Sequence, residues 1–228
     1  MAAPDIISEP SLAPLLGYYI NLDSRPDRRQ YFEQEIKAQP LFSHIQRFPA
    51  LKHSNGAIGC TLSHGKVLHL LQEQAGEAPY VAVFEDDFCI LNKDHLEQFF
   101  KAFANIQNSP DWDVITLTPR GKTHLPLTLP SMATAGFLRI LQTQTMTGYI
   151  VKTTFLPILL RNMQEAAERL LRGSPVESTT CDQYWKRLQP TATFYYYKHI
   201  FAGQRPGWSD LEKSHVNYNR RFLDQNKH

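Results

Sequence analysis

Three adjacent carboxylates, Glu85, Asp86 and Asp87, follow the apolar run Tyr80-Val-Ala-Val-Phe84 and are the residues of this chain best placed to do chemistry. Side by side they repel one another, so a cation belongs near them. Acidic oxygen donors suit hard divalent ions such as Mg²⁺ or Mn²⁺, which also bridge phosphate oxygens. The apolar run before them reads as a strand buried on both faces, as in a parallel sheet. Ligands of open α/β sheets bind beyond the carboxyl ends of strands, where these acids fall. The competing reading is a solvated acidic turn without function.

The elements that must position this triplet alternate along the chain. Leu15–Leu22 reads as a first strand, and Arg28–Ala38 as a helix capped by Asp27 or Ser24 with Pro26 near its first turn. Ile45–Ala50 is a second strand, and Asn55-Gly56 and Gly59 mark a tight connection. A helical pattern runs from Cys60 until Gly76 closes it, and Leu96, Phe99, Phe100 and Phe103 mark another helix after the acidic strand. Trp112–Thr118, Phe137–Leu141, Thr147–Val151 and Phe194–Tyr197 read as strands; Phe155–Leu171 and Asp182–Leu188 read as helices, with Pro157 tolerable only in a first turn. Arg120–Ala135, holding Pro126 and Pro130, reads as a long loop of the kind that covers substrates, or as plain disorder. Alternating strands and helices predict an α/β fold with a mainly parallel central sheet flanked by helices. The expected organisation is a loose leader over 1–14 and a single domain over 15–215, then a tail over 216–228. Within the domain, 15–118 and 119–215 would form two halves.

Bulk composition narrows the function. A chain of 228 residues with 42% hydrophobic and 20% charged residues suits one folded domain rather than a disordered segment. A formal net charge of only +2 argues against nucleic-acid binding by bulk electrostatics. Basic residues gather at Arg25, Arg28 and Arg29 and again at Arg220, Arg221 and Lys227, where a solvated tail and contact with an anionic membrane surface are the two readings. Three cysteines, Cys60, Cys89 and Cys181, without CxxC or metal-type spacing, argue against a disulfide framework and fit a reducing cytoplasm. No apolar stretch is long enough to span a bilayer, and the start lacks the pattern of a secretory signal. A lipid-linked substrate would therefore be met peripherally, from the inner face of the membrane.

At this point four blocks resemble glycosyltransferase family 25, the group of bacterial lipooligosaccharide galactosyltransferases and collagen galactosyltransferase domains. They are Tyr18-Tyr-Ile-Asn-Leu-Asp-Ser-Arg-Pro-Asp-Arg-Arg29, Gly56-Ala-Ile-Gly-Cys-Thr-Leu-Ser-His64, Val83-Phe-Glu-Asp-Asp87 and Thr147-Gly-Tyr-Ile-Val151, in the family's order over roughly residues 17–212. The resemblance implies a GT-A type nucleotide-sugar-binding fold, an inverting mechanism and a divalent metal. It also implies roles for particular residues. Asp87 becomes the principal metal ligand with Glu85, and Asp86 faces the ribose or donor sugar. A late histidine, His199 or His215, would complete the coordination, against a plain surface role. Asn21, Asp23 and Arg25 would hold base and ribose, while Ser63 and His64 would lie near the donor. Arg28 and Arg29 either contact phosphate or pair with Glu33 or Glu35 along a helix. Gln204 and Ser209 are similar to the family's closing motif near the diphosphate. Asp182, at the start of a late helix, would be the general base, with Glu177 as runner-up and a helix cap as the structural alternative. Trp208 is the candidate sugar platform, whereas Tyr149 and Trp185 read as core.

The resulting expectation is a Mn²⁺- or Mg²⁺-dependent hexosyltransferase. It would move a sugar, galactose before glucose, from a UDP-sugar to an oligosaccharide or lipid-linked glycan such as lipooligosaccharide. An inactive nucleotide-sugar-binding relative and a metal-dependent phosphohydrolase are the rival classes. The chain is short for the family, which leaves the acceptor more open than the donor.

Overall fold

The computed structural model describes residues 12–121, 127–209 and 213–223. In chain order the elements are β1 (Gly17–Asn21), α1 (Pro26–Tyr31), β2 (Ile45–Pro49), α2 (Gly56–Gln74), β3 (Tyr80–Glu85), β4 (Phe88–Ile90), α3 (Lys93–Ile106), β5 (Val114–Thr116), α4 (Pro130–Thr134), β6 (Phe137–Arg139), β7 (Gly148–Lys152), α5 (Leu156–Leu171), α6 (Val176–Thr179), α7 (Cys181–Tyr184), β8 (Phe194–Tyr197), β9 (Ala202–Gln204), β10 (Gly207–Ser209), β11 (Ser214–Val216) and α8 (Asn219–Leu223).

Seven strands form one sheet in the order β2-β1-β3-β7-β5-β8-β6. β1 pairs in parallel with β2 and β3, and β5 with β8, whereas β7 runs against β3 and β5, and β6 against β8. Five of the seven strands therefore point one way, and the expected α/β architecture with a mainly parallel sheet holds. β3 is buried from Tyr80 to Phe84 and its side chains alternate between two apolar layers. Ala82 and Phe84 face a layer containing Tyr19, Phe32, Phe42, Phe99 and Trp112. Val81 and Val83 face a layer built from α2 and α5, with Val67, Leu71, Leu159, Met163 and Trp185. Each such buried Val, Leu, Met or Phe side chain contributes about 1.5–3 kcal/mol.

Several local expectations are corrected. α1 begins at Pro26 behind Arg25, neither Asp27 nor Ser24 caps it, and its continuation over Phe32–Ile36 widens into a π-helical turn. α2 begins earlier than Cys60: Asn55 caps it by accepting from the Ala57 amide at 3.0 Å. The long loop contains α4, while residues 122–126 lie outside the described residues. Within the expected tail, Phe222 on α8 is fully buried in the α2–α5 layer. Of the proposed leader, residues 1–11 lie outside the described residues, and Leu12 packs on the core. The two halves share one sheet, because β7 enters between β3 and β5. Among the described residues, no helix is long and apolar enough to cross a membrane.

Candidate active site

β3 delivers the triplet to the sheet's rim, where the chain turns into β4, and the three carboxylates part company there. Asp86 faces α1: its Oδ1 accepts from Arg28 Nη1 at 2.8 Å and its Oδ2 from Asn21 Nδ2 at 2.7 Å. The same Nη1 reaches Asp87 Oδ2 at 3.3 Å. The cation called for by three adjacent acids is thus supplied partly by Arg28, which was expected on phosphate or along its own helix. Burial lowers the Arg28 pKa, but Asp87 and Asp86 outweigh it and hold it above its ordinary value. Burial raises Asp86 despite Arg28 and Asn21.

Asp87 is the least satisfied member. Its Oδ1 is buried and has no hydrogen-bond partner. Burial, with Glu85 and Asp86 beside it, pushes the carboxyl up to about 8 against the pull of Arg28. A lone carboxylate oxygen in an acidic corner is a donor that a hard dication would complete, so the residues present fit Mg²⁺ or Mn²⁺.

Glu85 turns the other way, towards α2. Its Oε1 lies 3.2 Å from His64 Nε2 and 3.6 Å from Cys60 Sγ, and its Oε2 accepts from Thr147 Oγ1 at 3.0 Å. Burial raises Glu85, but the hydrogen bonds from His64, Thr147 and Cys60 prevail and its pKa falls. The expected Glu85–Asp87 ligand pair is thus held in different company, because the strand ends at Glu85 and the chain turns over Asp86 and Asp87. His199, expected as a late metal ligand, stands apart from the triplet. It lies against His95 and Tyr197, with ring centroids 5.2 and 5.5 Å away, and no described contact joins it to the triplet.

The donor-side residues also separate. Asn21 is buried and fully engaged, donating to Asp86 and the Arg25 carbonyl and accepting from Arg47 Nε at 2.9 Å. It therefore positions the rim rather than facing a ligand. Asp23 is exposed and pairs with Arg47 at 2.5 Å. Arg25 and Arg28 both donate to the Trp208 carbonyl, at 3.3 and 2.9 Å. The β10–β11 hairpin is thereby tied over the acid corner, with the Trp208 ring 43% exposed and packed on His215. Gln204 pairs with Phe88 next to Asp87, and Ser209 sits at the hairpin's pairing with Ser214. Ser63 is buried and engaged with backbone: it donates to the Gly59 carbonyl at 2.7 Å and accepts from the Leu51 amide at 2.8 Å. Gly59 admits that same loop, since a Cβ there would lie 2.7 Å from the Leu51 carbonyl oxygen. His64 is fully buried beneath the rim. Tyr149 and Trp185 are core, meeting edge to face at 5.8 Å.

Asp182, in the first turn of α7, accepts from Thr180 Oγ1 at 2.8 Å and from the Thr145 amide at 3.4 Å, and remains partly open. Its charge is felt at His64 and Cys60, so it belongs to the same region. Glu177 is exposed on α6, with no described contact to the site. Sequence reasoning missed Arg47, Thr145, Thr147 and the Cys60–Cys181 approach. Thr145 holds φ at 72°, a left-handed conformation costly for a β-branched residue. Its hydroxyl bond to the Thr118 carbonyl at 2.7 Å helps hold it there.

No protein-family model matches the chain, and no curated protein does. Among solved structures it is similar to a mannose-1-phosphate geranyltransferase from Thermus thermophilus, at 15% identity and a TM-score of 0.43, covering 81% of this chain and 59% of that one. It is also similar to A197 from STIV, at 13% identity and a TM-score of 0.45, covering 89% and 93%. A third likeness is to apo UDP-glucose pyrophosphorylase, at 13% identity and a TM-score of 0.43, covering 83% and 74%. The chain thus spans less than two thirds of the Thermus structure's length, and at these values none of the three assigns it an activity.

Proposed function

We propose that the chain is a divalent-metal-dependent inverting glycosyltransferase that moves a hexose, galactose first, from a UDP-sugar to a glycan acceptor such as lipooligosaccharide. The observation that carries this reading is Asp87: a buried carboxylate with an unpartnered oxygen, on the carboxyl rim of a mainly parallel sheet. The four blocks that resemble family 25 add to it, and all four meet at that rim.

Asp87, with Asp86 beside it, would hold the ion. When bound, the ion supplies Lewis-acid stabilisation of the charge that grows on the departing diphosphate. Arg28 adds a fixed positive charge on the same side. Trp208 offers an exposed ring face to the sugar's C–H surface. Asp182 would take the proton from the acceptor hydroxyl as that oxygen attacks the anomeric carbon opposite the leaving UDP. Glu85, His64 and Thr147 hold the rim from below. Three free thiols, Cys60, Cys89 and Cys181, suit a reducing compartment, so we place the enzyme in the cytoplasm and its lipid-linked acceptor at a membrane surface.

The test is a screen of UDP-sugars with and without Mn²⁺, reading UDP release and product. Release from one donor, abolished by chelation, supports the proposal. Release that persists under chelation assigns the charge stabilisation to Arg28 instead. Tight UDP binding without release from any donor–acceptor pair would leave a binding protein.

A further inference from the structure

We propose that Cys60, His64 and Cys181 form a site for one thiophilic divalent cation of the zinc type, beneath the acidic rim and distinct from the carboxylate site at Asp87. Each of these three offers one ligand atom, and the three atoms all lie within 4.8 Å of one another. The proposal stands independently of the transferase reading.

The geometry suits a tetrahedral ion. Two Zn–S bonds of about 2.3 Å at a tetrahedral angle set the sulfurs about 3.8 Å apart. Cys60 Sγ and Cys181 Sγ are 3.9 Å apart. That is too far for a covalent S–S bond and close to what a shared cation requires. Cys60 and His64 are four apart on α2, so both side chains leave the same face of one helix. Cys181 comes from 121 residues away and is registered against that helix by its own amide, which donates to Thr61 Oγ1 at 3.1 Å.

The surroundings are those of a ligand set. His64 Nδ1 lies 3.4 Å from Tyr149 Oη, an outer partner that fixes the ring and leaves Nε2 on the Cys60 side. Glu85 Oε1 borders both Nε2 and Cys60 Sγ, next to the position a fourth ligand would take. Two thiolates, a neutral imidazole and a dication sum to zero charge, which suits a site where His64 and Cys181 are buried. Three protein ligands with a remaining position is the pattern of zinc sites that exchange a ligand.

The experiment uses the full chain, reduced, stripped with chelator and titrated anaerobically with Co²⁺. Expected is a thiolate-to-cobalt charge-transfer band that saturates at one ion per chain and is erased by an equivalent of Zn²⁺. Cys60→Ser and Cys181→Ser should each halve the band. His64→Asn should keep both thiolates but weaken binding at least about tenfold. Asp87→Asn should leave the band unchanged, which separates this site from the carboxylate one. Absence of the band, or a band undiminished in both serine variants, overturns the proposal. If a variant fails to fold, alkylation of the wild-type protein decides: Zn²⁺ should slow labelling of Cys60 and Cys181 against the chelated protein, and equal labelling refutes the site.

Discussion

At the level of single residues, the triplet divides its labour. Asp86 is locked to Arg28 and Asn21, Glu85 to His64 and Thr147, and Asp87 keeps an oxygen with no partner. Asp87→Asn is therefore expected to abolish Mn²⁺-dependent UDP release while leaving the circular dichroism spectrum unchanged. Undiminished release in that variant would remove Asp87 from the metal site. Asp87 is raised from 3.8 to about 8. Between those values the folded chain holds a proton that the unfolded chain has lost, so metal-free stability should fall as pH rises from about 4 to about 8. Mn²⁺ must displace that proton, so its affinity should climb about tenfold per pH unit below about 8. Titrations at several pH values check this, and a flat profile contradicts it. Asp182→Asn should cut turnover and spare UDP affinity; a loss of UDP affinity would move Asp182 out of the base role. The acids were legible because three in a row after an apolar run is rare chemistry. The side each one takes was not legible, because it depends on helices far away in sequence.

Elements show where local pattern suffices and where it fails. β3, β7 and β8 follow directly from β-branched or aromatic runs, and the Phe194–Tyr197 strand matches its expected bounds. The short β4, β9, β10 and β11 carry three residues each and no readable alternation, yet β4 directly follows Asp87 and pairs with β9, and the β10–β11 hairpin is tied to Arg25 and Arg28. The approach of Cys60 and His64 to Cys181 was hidden for another reason: the first two share the expected helix, but the third comes from a separate turn 121 residues beyond Cys60. Close packing gives this level its own test. A Cβ on Gly148 would lie 2.7 Å from the Phe88 ring, directly after Asp87. Gly148→Ala should cost about 1–3 kcal/mol of stability and lower UDP release beyond that loss. A Cβ on Gly17 would meet the Ala82 carbonyl oxygen at 2.0 Å, where the backbone has nowhere to go. Thermal unfolding should accordingly find Gly17→Ala the more damaging of the two, and the reverse order would contradict the β1–β3 pairing.

For the molecule as a whole, donor and metal should act as one ligand, since Arg28, Asp86 and the Trp208 hairpin are joined by hydrogen bonds across the rim. A ligand at about a hundred times its Kd adds about 2.7 kcal/mol, or roughly 5–11 °C in Tm for a domain of this size. UDP with Mn²⁺ is expected to reach that range, and UDP with chelator to fall well short; equal shifts would uncouple the two. The sheet order also has a bearing on how the chain assembles. The triplet is synthesised before residue 90, yet its strand is completed on one side only by β7, more than sixty residues later, and Cys181 follows later still. A ribosome must therefore release most of the polypeptide before this acidic corner acquires its frame. Until then one flank of β3 is an open edge on which other strands could pair.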